Sequence, residues 1–160
     1  MTIKAGVKIP SASLKTMSAE GMQTITTDEL FKGKKVVLFA LPGAFTPTCS
    51  AKHLPSFVQL ADKIRAKGVD TIACLSVNDA FVMDAWGKNQ NVGDKVTMLA
   101  DGNGDFTKAV GLTMDGTGYG MGVRSQRYAM VVENGLVKVL NVEAPGAYEV
   151  SSAEAVLKTL

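Results

Sequence analysis

One feature constrains this chain more than any other. An apolar run, Val36-Val37-Leu38-Phe39-Ala40-Leu41, stops abruptly at Pro42, and beyond Cys49 the apolar residues recur at helical spacing: Leu54, Phe57, Val58, Ala61 and Ile64. β-Branched and large apolar residues in an unbroken run are the pattern of a parallel strand covered on both faces. A buried strand followed by an amphipathic helix implies an α/β sheet, and Cys49 lies where the strand gives way to the helix.

That position has chemical consequences. The first turn of a helix has backbone N–H groups without intrahelical partners, and with the helix dipole they favour negative charge nearby. Such a setting favours thiolate over thiol, and the thiolate is the nucleophile. Pro47 suits the first helical turn, where a missing N–H costs nothing. Thr46 is placed to be the N-cap, and Pro42 stiffens the far side of the loop. In open α/β sheets ligands bind beyond the carboxyl ends of the strands. A free cysteine can equally be a small buried hydrophobe. The junction, the two prolines and the threonine three residues upstream favour a reactive thiolate.

The string Pro42-x-x-x-Thr46-x-x-Cys49 resembles the active-site motif of the peroxiredoxins. The fuller Pro42-Gly43-Ala44-Phe45-Thr46-Pro47-Thr48-Cys49-Ser50, with His53-Leu54-Pro55-x-Phe57, is similar to the branch holding the animal peroxiredoxin-five enzymes and the type II enzymes of plants and bacteria. Further matches are Ala73-Cys74-Leu75-Ser76-Val77-Asn78-Asp79, Ala85-Trp86, Leu99-Ala100-Asp101 and Arg127-Tyr128-Ala129-Met130, so the resemblance spans nearly the whole chain. It implies a thioredoxin-like α/β fold, a central mixed sheet flanked by helices. It implies a thiol-dependent peroxidase that reduces hydrogen peroxide and alkyl hydroperoxides through a Cys49 sulfenic acid. No cofactor is implied beyond an external thiol reductant, glutathione with or without glutaredoxin first and thioredoxin second. A homodimer is implied, with its contact around the active-site helix start and the Trp86 region.

The bounds agree. A chain of 160 residues is expected to form one domain, residues 1–160, with 46 % apolar and 20 % charged residues. The formal charge is +2 and no basic run exceeds two residues, so neither nucleic acid nor a membrane surface is an expected partner. Residues 1–6 have no apolar core or cleavage pattern, and two cysteines make no disulfide framework. A reducing cytoplasm is the expected home.

In chain order, residues 1–10 read as an irregular lead-in and 11–17 as a short strand. Residues 27–33 read as one helical turn capped by Thr27. The strand at 35–41 is followed by a helix from Cys49 to Lys67, closed by Gly68, and then a strand at 69–77. Asn78-Asp79 caps a helix at 80–88, 96–100 is a strand and 105–110 a helix. The glycine-rich residues 111–122 read as a loop over the site or at a subunit contact. Asn134-Gly135 joins 124–133 to 136–142 in the clearest hairpin of the sequence. Ser151-Ser152-Ala153-Glu154 opens a last helix with a capping box.

A thiolate attacking a peroxide needs donors that meet the charge growing on the leaving oxygen. The Cys49 amide is one such donor, the single Thr46 hydroxyl can accept from the peroxide or donate to it, and a fixed cation is the remaining requirement. Arg127 interrupts an apolar strand pattern, as either an inward-facing cation or an edge arginine in water. The resemblance places the active-site arginine at Arg127, with Arg124 as the competing choice or a support. Cys74, in a strand read as buried, is a core residue, or a resolving thiol if the site unfolds locally. A one-cysteine cycle is therefore favoured. His53, four residues after Cys49, shares its helix face. A Cys–His hydrolase dyad would leave Pro42 and Thr46 unexplained, so a structural or supporting role is favoured. No zinc spacing and no C-x-x-C is present. The alternative from another class is a non-catalytic thioredoxin-like module for redox sensing or chaperone-like binding.

Overall fold

The computed structural model describes residues 2–160. Strands β1 (Ser13–Ser18) and β2 (Gly21–Thr26) form a hairpin that runs directly into α1 (Thr27–Phe31). Strand β3 (Lys35–Ala40) leads through a loop and a π-helical turn, Cys49–His53, into α2 (Leu54–Arg65). Next come β4 (Thr71–Ser76), α3 (Ala80–Asn89), β5 (Thr97–Ala100) and α4 (Asp105–Val110). A short pair, β6 (Thr113–Asp115) and β7 (Val123–Ser125), precedes the hairpin of β8 (Tyr128–Glu133) and β9 (Leu136–Val142), and α5 (Ala153–Leu157) follows.

Seven strands form one mixed sheet in the order β2-β1-β5-β4-β3-β8-β9. The β3–β4 and β4–β5 pairs are parallel, and β8 joins β3 antiparallel. This is the expected α/β arrangement. Because side chains alternate across a strand, β3 feeds two cores. Val37, Phe39 and Leu41 pack with α2, α3 and α5, whereas Val36, Leu38 and Ala40 pack with α1 and α4. Both faces are covered, which is why the run is continuously apolar. Phe39 and Phe57, stacked at 3.9 Å, are fully buried, and burial of each contributes ~1.5–3 kcal/mol.

The parity of β8 places the site. Ala129 and Val131 face the α2 core, while Tyr128, Met130 and Val132 face the other. Arg127, one residue before the strand, shares the parity of Ala129 and lies on the Cys49 side of the sheet.

Several expectations are corrected. Residues 21–26 form a strand that was not expected, because β2 is an edge with little alternation; its partner β1 is anchored by Leu14, 1 % exposed. The cap of α1 is Thr26, in a capping box with Glu29, not Thr27. Thr27 is buried, and its hydroxyl donates to the Pro10 carbonyl. Residues 111–122 hold β6 and a 3-10 turn, Thr117–Tyr119, instead of a featureless loop. The strand expected at 124–133 is split into β7 and β8. The helix expected from Cys49 begins as a π-turn. The α5 cap is a single bond, with Ser152 accepting from the Ala155 N–H, in place of the expected box. At the β8–β9 turn Asn134 and Gly135 both have positive φ, +48° and +78°, as a type I′ hairpin requires.

Candidate active site

The loop after β3 is fastened to the end of β4. The Ala44 N–H donates to Asn78 Oδ1 at 3.0 Å, and Ser76 Oγ donates to the same atom at 2.6 Å. Gly43 sits tight against Arg124, and a Cβ there would lie 2.9 Å from Arg124 Nη1. Arg124 donates to the Met121 carbonyl at 2.9 Å and the Pro42 carbonyl at 3.3 Å. It therefore clamps the β6–β7 excursion onto the loop and spends its donors there, not on the thiol.

Thr46 closes the loop. Its carbonyl accepts the Ser50 N–H, so its backbone opens the helix and Pro47 takes the first helical position. Its hydroxyl caps nothing; it turns back to donate to the Gly43 carbonyl at 2.7 Å. With the proton committed, the oxygen's lone pairs are free to accept.

The π-turn comes next. The Leu54 N–H reaches back five residues to the Cys49 carbonyl. Such widenings recur at functional sites, and here Cys49 and His53 are both fully buried and both meet Arg127. Arg127 Nη2 donates to Cys49 Sγ at 3.2 Å and Nη1 to His53 Nδ1 at 2.9 Å. A guanidinium can only donate, so Nδ1 carries the lone pair. Nε2 then carries the proton and donates to the Ser151 carbonyl at 2.9 Å. Burial first and the Arg127 charge second hold the His53 pKa down at about 3. His53 is thus a neutral acceptor that aims the arginine, not the base of a hydrolase dyad. Phe39 backs its ring at 5.0 Å, and Tyr148 meets it edge-on at 5.4 Å.

Cys74 lies in β4 on the same side of the sheet as Cys49, fully buried. Burial, then the neighbouring Cys49, pushes its thiol well up. Both cysteines are free. Trp86 is also fully buried, and its indole N–H donates at 3.0 Å to the hydroxyl of Ser50, the residue after Cys49.

A pocket of about 700 Å³ opens beside the site, lined by Pro42, Thr46, Pro47, Met114, Tyr119, Met121 and Arg127 and by residues 143–147. A second cavity, between β1, β5 and the end of α3, holds none of these groups. Among the described residues no cluster of three or more His, Cys, Asp or Glu could hold a metal ion, and no helix is long and apolar enough to cross a membrane.

The structure brings Cys49, Arg127 and His53 into one contact chain, sets Thr46 and Pro42 in the pocket wall, and leaves Arg124 clamping the loop. Sequence reasoning missed Glu143, and it read Ser151 and Asn78 only as parts of helix caps. The doubled serine before α5 was the one available signal, since a cap needs only one.

The chain matches the Redoxin family model over residues 4–157. It is 51 % identical over 163 residues to peroxiredoxin-2E, chloroplastic, of Arabidopsis thaliana, covering 99 % of this chain and 70 % of that protein. It is 45 % identical over 159 residues to peroxiredoxin-2B of the same plant, covering 99 % and 98 %. The crystal structure of reduced Prx3 from Vibrio vulnificus in complex with hydrogen peroxide superposes with a TM-score of 0.96 at 57 % identity, covering 99 % of each chain. On these matches the chain belongs to the redoxin family and is a thiol-dependent peroxidase of its type II and peroxiredoxin-five branch.

Proposed function

We propose that Cys49 is the peroxidatic nucleophile, that Thr46 and Arg127 hold and polarise the peroxide, and that Pro42 shields the site. The single observation carrying this reading is the Arg127 guanidinium, with one donor on Cys49 Sγ at 3.2 Å and the other fixed by His53. The thiolate attacks the terminal oxygen of ROOH. A sulfur–oxygen bond forms, the O–O bond breaks, and RO⁻ leaves to take up a proton as ROH. The Thr46 lone pairs accept from the peroxide O–H, while Arg127 stabilises the thiolate and the charge growing on the leaving oxygen. The product is the Cys49 sulfenic acid.

An external thiol then condenses with the sulfenic acid, releasing water and leaving a mixed disulfide, and a second thiol frees Cys49. Two observations support a one-cysteine cycle: Cys74 is enclosed in the core, and no cysteine follows it. Glutathione with or without glutaredoxin is the first reductant, thioredoxin the second; a reducing compartment such as the cytoplasm would supply either. The apolar pocket wall, with Met114, Met121 and Tyr119, suits alkyl hydroperoxides as well as hydrogen peroxide. A homodimer would cover Phe45 and Phe81, 51 % and 64 % exposed; the Phe45 ring lies 6.4 Å from Trp86.

The test is stopped-flow oxidation of the reduced protein by hydrogen peroxide, read from Trp86 fluorescence, beside Cys49→Ser and Cys74→Ser. Fast oxidation that survives loss of Cys74 and vanishes with Cys49 supports the reading. A wild-type rate no faster than that of free cysteine points instead to a redox-sensing binding module.

A further inference from the structure

Glu143 follows β9 and is only 7 % exposed, yet no cation pairs with it among the described residues. A buried carboxylate is costly unless its oxygens are satisfied. These are satisfied by one short segment. The Glu149 N–H donates at 2.9 and 2.8 Å, the Val150 N–H at 2.9 Å, the Ser151 N–H at 2.8 Å and the Ser151 hydroxyl at 2.6 Å. Burial opposes ionisation of this carboxyl, but the Ser151 hydroxyl and the amides hold it below the usual range.

The held segment has one further contact of consequence. The Ser151 carbonyl accepts from His53 Nε2, and that bond leaves Nδ1 as the acceptor for Arg127. Glu143 also reaches Arg127 by a second route, because its own N–H donates to the Arg127 carbonyl at 2.9 Å. Glu143 therefore meets Arg127 twice: by a main-chain bond that any residue here could make, and by its carboxylate through the 149–151 segment and His53.

We infer that Glu143 is a positioning residue for Arg127, acting through the 149–151 segment and His53 to fix the donors that meet Cys49 and the peroxide. The inference rests on the peroxidase reading above. An apolar residue of similar size would fill the space but could not gather these donors. Without them the Ser151 carbonyl is unanchored, His53 loses its fixed orientation, and Arg127 is free to swing. A misplacement of about 1 Å at a reacting group can lower a rate by about a hundredfold.

The experiment compares two reactions of Cys49 in the protein, each rate expressed per thiolate as read from ultraviolet absorbance: oxidation by hydrogen peroxide, and alkylation by iodoacetamide, which has no O–O bond to polarise. Glu143→Gln is expected to lower the peroxide rate constant by about ten- to a hundredfold, and the alkylation rate far less. Glu143→Asp, which keeps the charge on a shorter arm, should recover part of the loss. Nitrogen NMR of the wild-type imidazole should show the Nε2–H tautomer, and an Nδ1–H tautomer would overturn the relay. Folded variants that keep the wild-type peroxide rate, or that lose both rates in equal proportion, would also overturn it. If Glu143→Gln does not fold, Glu143→Asp and the tautomer decide. A slow wild-type enzyme would instead sink the peroxidase reading, so the two failures are distinguishable.

Discussion

Arg127→Gln tests the site where its charge is concentrated. Glutamine keeps a planar amide and an N–H donor but has no charge and cannot serve two partners in a fork. Arg127 now serves two, Cys49 Sγ at 3.2 Å and His53 Nδ1 at 2.9 Å. A hydrogen bond to a charged group is worth ~1.5–3 kcal/mol, and removing one donor to a developing oxyanion costs ~2.7–4 kcal/mol. Arg127 is half-buried, so solvent screens part of its field and the lower end of that range applies. About 2.7 kcal/mol corresponds to roughly a hundredfold loss in the second-order rate constant for peroxide. Stability is the competing effect, since a buried Nδ1 without a donor costs ~1–3 kcal/mol; the glutamine amide can supply that donor. The assay is stopped-flow oxidation at several peroxide concentrations, paired with urea unfolding to show that the variant is folded. A folded variant that reacts at the wild-type rate would refute the arginine's role.

Thr46→Val removes the hydroxyl while keeping the shape, and should slow peroxide reduction by about tenfold or more, whereas Thr46→Ser should stay close to wild type; the same rapid-mixing assay separates them, and equal rates for both would remove Thr46 from the mechanism. Cys74→Ser places a hydroxyl in the apolar core, costing ~1–3 kcal/mol in urea unfolding without changing the rate of peroxide oxidation. Unchanged stability would show that Cys74 is not enclosed. His53 titrates at about 3 in the folded protein against 6.5 when free. Protonation therefore favours the unfolded chain, and the contribution of His53 is full above pH 6.5 and is lost as pH falls toward 3, at up to ~1.4 kcal/mol per pH unit. His53→Asn should flatten stability against pH across that window; an unaltered slope would contradict the buried neutral ring.

Much of this was legible in the sequence. Val36–Leu41 could hardly be anything but a doubly covered strand, and Ile72 to Leu75 repeat the pattern. Asn134-Gly135 announces its own turn, because few other pairs tolerate positive φ at both positions. The errors share a physical cause. Strand β2 is an edge whose partner is specified by neighbours, and β6 and β7 pair with each other in an excursion that Arg124 ties to the Pro42 carbonyl. The Thr46 hydroxyl had two acceptable uses, as a cap or as a donor to Gly43, and only the loop's curvature selects between them. No local pattern marks a π-turn, which widens the helix between Cys49 and Leu54 where two side chains must meet one arginine.

The residues themselves determined the sheet, the cysteine at the head of a helix, and the chemistry available to a thiol beside a threonine and a cation. Those are properties of composition, periodicity and spacing within a few residues along the chain. The resemblance had pointed to Arg127; the tertiary structure decided that its guanidinium reaches the sulfur, that His53 is neutral and in one tautomer, and that Glu143 stands behind both. Arg127 lies 78 residues from Cys49, and Ser151 lies 98 residues from His53. Hydrogen bonds over such separations are set by how β8, α2 and the segment after β9 pack against one another, and no sequence interval encodes them.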